Sequence, residues 1–109
     1  MALGSYGLGA VVRIPLQVTS GGIAETSSIS PKIKSIIRPN GTEESDFPKD
    51  MVALNTSYGT YYYDYTPPTD GDYVVIITYT VGSQEYTTLE YFTVSVTSTT
   101  VGIPRAEAL

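Results

Sequence analysis

The sequence predicts an all-β domain in which two antiparallel sheets pack face to face. Three observations carry that expectation. Apolar residues alternate with polar ones along several short stretches, clusters of Gly, Pro, Asn and Asp separate those stretches, and no stretch sustains a helical apolar period. The 109 residues suit one domain, and ten tyrosines together with many Val, Ile and Thr residues favour strands. Six or seven strands are expected, too little strand-forming sequence for a closed eight-stranded barrel. A chain of this size buries roughly two thirds of its unfolded surface, so one core suffices without staples.

Taken in order, residues 1–10 are small and Gly-rich with Leu3, Tyr6 and Leu8 interspersed, a composition that reads as an N-terminal arm. The body is expected over residues 11–97. "VVRIPLQV" alternates so that Val12, Ile14, Leu16 and Val18 share a face, and Pro15, which has no N–H to donate, places this strand at a sheet edge. "TSGG" breaks it, and Ile23 to Ser30 reads as a weaker strand or loop. A strand from Lys32 to Arg38, with Ile33 and Ile37 on one face, ends at the Pro39-Asn40-Gly41 turn. An acidic loop, "EESDFPKD", leads to a short strand from Met51 to Asn55.

The next strand holds Tyr61, Tyr63 and Tyr65 on one face and Tyr62 and Asp64 on the other. After the Pro-Pro-Thr-Asp-Gly turn, Tyr73, Val75, Ile77 and Tyr79 alternate with Val74, Ile76 and Thr78. Apolar groups on both faces mark an interior strand. Gly82-Ser83 closes a hairpin, and the return strand carries Tyr86, Phe92, Val94 and Val96 in one register. Residues 98–109, "STTVGIPRAEAL", read as a C-terminal arm whose Val101, Ile103, Pro104 and Leu109 have no obvious core to join.

Composition removes several function classes. With no cysteine there are neither disulfides nor thiolate metal sites, and with no histidine the commonest general base and transition-metal ligand is missing. A net charge of −5 and scattered basic residues argue against nucleic acid, with the small group Lys32, Lys34 and Arg38 reading as a solvated strand face. Glu43, Glu44 and Asp46 sit in a turn-rich loop where carboxylates are solvated, and Asp70 and Asp72 flank Gly71 without the spacing of a calcium loop. "GSYGLG" has no strand before it and no helix after it, so it is no phosphate loop. No enzyme, cofactor, metal or membrane partner is expected. The N-terminus lacks the features of a secretory signal, which reads as a complete product made in a cytoplasm, and the sequons at Asn40 and Asn55 are taken as chance.

Asp70-Gly71-Asp72-Tyr73 resembles the tyrosine corner of immunoglobulin-like sandwiches. With the preceding Tyr-Thr-Pro-Pro and the long hairpin ending in Phe-x-Val, residues 31–97 look like the second half of bacterial and phage immunoglobulin-like domains. The resemblance implies an immunoglobulin-like antiparallel β-sandwich of about seven strands with extended arms, and gives Tyr73 a structural corner role. A single small domain with an arm at each end further resembles capsid decoration (cement) proteins of tailed bacteriophage virions. That resemblance implies a non-enzymatic protein of the outer capsid surface, made in the host cytoplasm. It would brace the major capsid protein lattice as a homo-oligomer, a trimer if it sits on threefold positions. Leu3, Tyr6, Leu8, Val101, Ile103, Pro104 and Leu109 would form the partner interface. Two alternatives are a phage tail, neck or baseplate protein, and a carbohydrate-binding or adhesin module stacking sugars on Tyr58, Tyr62 and Tyr63.

Overall fold

The computed structural model describes residues 2–20, 22–24 and 29–96. Among these the chain forms β1 (Ala2–Gly7), β2 (Val12–Gln17), β3 (Thr19–Ser20), β4 (Ile23–Ala24) and β5 (Lys32–Ile37). After them come β6 (Lys49–Asp50), β7 (Val52–Asn55), a 3-10 turn (Thr56–Tyr58), β8 (Thr60–Tyr65), β9 (Gly71–Val81) and β10 (Gln84–Ser95). Seven of these strands are four residues or longer, and β3, β4 and β6 have two residues each.

A five-stranded sheet in the order β1-β10-β9-β5-β6 packs on a three-stranded sheet in the order β2-β8-β7, and β3 and β4 form a small separate ribbon. This is the order of an immunoglobulin-like sandwich with an added strand beside β5. The ladders are antiparallel except β1 with β10, which is parallel.

The core follows from alternation. Val12, Ile14 and Leu16 of β2 and Tyr65 of β8 face Ile33 and Ile36 of β5, Tyr73, Val75 and Ile77 of β9, and Phe92 and Val94 of β10. β2 is an edge strand, and Pro15 lies opposite Tyr62 on its outer face. β5 departs from simple alternation. Its register against β9 shifts between Ile33 and Ser35, so Ile33 and Ile36 are both fully buried while Ile37 turns to the outer face. The expected pairing of Ile33 with Ile37 is therefore corrected by a one-residue bulge, which reverses the sides of every residue after it. Ile29 is also fully buried, and its carbonyl accepts from the Thr80 N–H at 2.9 Å.

The largest difference from the sequence reading is at the N-terminus. Residues 2–7 of the expected arm are β1, laddered onto the edge of β10. Gly4, at φ +118°, takes up a register shift between Ala2 and Gly4. Leu3 and Tyr6 pack against the core, with the Tyr6 ring edge-on to Phe92 at 6.1 Å. Small residues hid the strand because β10 supplies the hydrogen bonds and only two large side chains are needed to fix it.

The turn before β9 is specified by two residues. The buried Tyr73 hydroxyl donates to the Thr69 carbonyl (2.8 Å) and accepts from the Thr69 N–H (3.2 Å), the geometry of a tyrosine corner. Its ring stacks on Phe92 with centroids 4.9 Å apart, and Tyr65 closes the cluster edge-on to both. Gly71 has φ +123°, and a Cβ there would lie 2.6 Å from Pro39 Cβ and Cγ, so a side chain has neither backbone freedom nor space.

Candidate functional site

The carboxylates that the sequence reads as solvated or non-ligating lie apart in the fold. Glu43 accepts from the Ser35 hydroxyl at 2.7 Å, Glu44 accepts from the Tyr65 hydroxyl at 2.6 Å, and Asp46 is exposed. Burial, reinforced by the bond to Glu44, pushes the Tyr65 phenol above the ordinary tyrosine range. Asp72 accepts from Thr93 Oγ1 at 2.7 Å, and Asp70 is exposed. Among the described residues no three carboxylates come together as metal ligands.

The tyrosine platform expected of a sugar binder is not assembled. Tyr62 lies on the outer face of β8 with the Arg13 guanidinium 3.9 Å above its ring, while the Tyr63 ring packs edge-on to Phe47 at 5.7 Å. Adjacent residues of a strand point to opposite faces, so Tyr62 and Tyr63 cannot share a platform. Arg13 is held there by paired bonds of 2.8 and 2.9 Å to Asp64, which raise the guanidinium further and keep the Asp64 carboxyl below its usual range. Tyr58 is 62% exposed on the 3-10 turn.

Of the expected interface residues, Leu3 and Tyr6 are half-buried against the core and Leu8 is exposed. Val101, Ile103, Pro104 and Leu109 lie outside the described residues, as does the whole segment 98–109.

Two features emerge that the sequence reading did not single out. The first is the outer face of the five-stranded sheet. The register aligns Ile37, Val74 and Tyr91 in one row and Ser35, Ile76 and Leu89 in the next. Leu89 and Tyr91 are 41% and 43% exposed, and Ile37, Val74 and Ile76 are half-buried. Together Ile37, Val74, Ile76, Leu89 and Tyr91 form an apolar strip on the outer face of the sheet, bordered by Ser35 with its bond to Glu43. The alternation of Val74 and Ile76 was visible in the sequence. Their neighbours were not, because the β5 bulge decides that Ile37 joins them.

The second feature is a cleft of about 420 Å³ on the flank where the edge strands β1 and β2 leave the sandwich open. Leu3, Pro15, Leu16 and Tyr79 line it, with Thr88 and Glu90 reaching in from β10. Glu90 is only 8% exposed, and its Oε1 is buried with no hydrogen-bond partner among the described residues. Burial pushes its carboxyl above the usual glutamate range. The signal was present in the sequence, since Glu90 shares parity with Phe92 and Val94 and is the one charged residue among inward positions of β10.

The chain matches no protein-family model and no curated protein. Among solved structures, one from Bacteroides vulgatus ATCC 8482, described as a "putative glycoside hydrolase", has a similar shape, at 13% identity and a TM-score of 0.47. The superposition takes in 94% of this chain and 17% of that protein, and nothing about activity follows from it.

Proposed function

We propose that the chain is a non-enzymatic structural protein of a tailed-phage virion, a capsid decoration protein whose sandwich adheres to the major capsid protein lattice. The observation that carries this reading is the apolar strip of Ile37, Val74, Ile76, Leu89 and Tyr91 on the outer face of the five-stranded sheet. Exposed contiguous apolar surface of this kind marks protein-protein contact, and aromatic residues supply much of the energy at such contacts. The resemblance of the sequence to phage immunoglobulin-like accessory domains points to a capsid subunit as the partner. Binding by many copies makes individually modest contacts sufficient to brace a shell.

The test is cosedimentation with empty expanded shells assembled from the major capsid protein encoded in the same genome. Wild-type protein should saturate the shells at a fixed number of copies per capsomer. Leu89→Asp combined with Tyr91→Asp should weaken binding on the order of tenfold or more while the circular dichroism spectrum stays unchanged. Absence of saturable binding by the wild type, or undiminished binding by the folded double variant, would sink the proposal.

A further inference from the structure

We infer that the open-flank cleft between β1, β2 and β10 is a binding site for an alkyl cation, an ammonium or guanidinium carried on an apolar stem, with the Glu90 carboxylate as its counter-ion. Three observations converge on it. The cleft, about 420 Å³, is within the range of small-ligand sites. Its walls are apolar on several sides, from Leu3 of β1, Leu16 of β2 and Tyr79 of β9, which suits a hydrocarbon stem. At its side, Glu90 presents a buried oxygen that no described residue satisfies.

A cation fits this arrangement better than a neutral donor or an anion. Burial leaves the Glu90 proton hard to remove, and a positive group placed against it in a low-dielectric wall restores the carboxylate and gains a charge-assisted hydrogen bond. An alcohol satisfies one lone pair without any charge attraction, and an anion is repelled wherever the carboxyl is ionised. Arg and Lys side chains have the required form, with methylenes along apolar surface and charge at the tip. The same chemistry could therefore arrive as a free amine or as a basic side chain of another protein. The inference stands apart from the capsid reading, because the cleft and the outer strip are on different surfaces.

The experiment is an NMR titration of the full ¹⁵N-labelled chain at pH 7, with n-butylammonium chloride as the probe and n-butanol and sodium butyrate as controls. Butylammonium should shift the amides of Leu3, Leu16, Thr88 and Glu90 saturably, with a Kd of about millimolar for so few heavy atoms. Butanol and butyrate should bind at least tenfold more weakly, and Glu90→Gln should abolish the preference for the amine. A capped Gly-Lys-Gly peptide separates the sources. Shifts as strong as those from butylammonium favour a partner's lysine, and weaker ones favour a free amine. A second readout needs no variant: the carboxyl ¹³C titration of Glu90 should move to lower pH when butylammonium is present. Equal shifts with butanol, no saturation below about 100 mM, or a Glu90 titration indifferent to the amine would overturn the assignment.

Discussion

Replacing Glu90 by leucine should make the free protein more stable at neutral pH. The side chain is 8% exposed, its Oε1 has no partner among the described residues, and the cleft it borders is lined by Leu3, Leu16 and Tyr79. A buried polar group without a partner costs about 1–3 kcal/mol. Leucine has similar bulk and adds apolar contact at the same inward position of β10. A net gain of about 1–3 kcal/mol is expected, which for a domain of this size raises Tm by roughly 4–8 °C per kcal/mol. The sign with pH follows from the raised carboxyl. The folded chain holds this proton more tightly than the unfolded chain, whose glutamate titrates near about 4.3. Wild-type stability from this group is thus fully present below that value and is lost as pH rises through the folded-state titration. The leucine variant lacks this slope, so the difference between the two proteins should be largest at pH 7 and narrow towards pH 4. Urea unfolding followed by tyrosine fluorescence at both pH values measures it. A leucine variant no more stable than wild type at pH 7 would refute the reasoning, because Glu90 would then already have a partner. The loss of stability that wild type accepts here is the counterpart of the cation site, since a group used by a ligand is left unsatisfied without it.

Two further outcomes test the corner that begins β9. Tyr73→Phe keeps the ring stacked on Phe92 and removes only the bonds to Thr69, so it should cost about 1–2 kcal/mol in urea unfolding. An unchanged midpoint would mean the corner adds no stability. Gly71→Ala should destabilise by more than about 2 kcal/mol because backbone strain adds to the clash with Pro39, whereas Gly82→Ala, with nothing within 4 Å, should cost about 1 kcal/mol. Equal costs at the two glycines would show that the approach of Pro39 is relieved elsewhere.

Much of the sandwich was legible along the chain because its strands obey a period of two. The residues of β2, β8 and β9 face the sides that alternation assigns, and the Asp70-Gly71-Asp72-Tyr73 stretch sits at the corner between β8 and β9. Three things were not legible. The strand β1 exists because β10 offers an unpaired edge, and a Gly-rich stretch shows no alternation of its own. The β5 bulge inserts one residue with no sequence marker at Lys34, yet it sends Ile36 inward and Ile37 outward. The partners that occupy the tyrosine rings, Arg13 over Tyr62 and Phe47 against Tyr63, come from distant stretches of the chain.

Local pattern by itself determined that this protein is all-β, where most strands begin and end, and most of the residues that form the core. Alternation and turn propensity act over a few residues and are written in consecutive positions. Tertiary structure alone decided that Leu3 of β1 and Leu16 of β2 flank Glu90 of β10, and that Ile37 joins Val74 and Tyr91 in one strip. Those neighbourhoods depend on which edges pair and in what register, a choice made by the free energy of the whole packed sandwich and recorded in no single stretch of sequence.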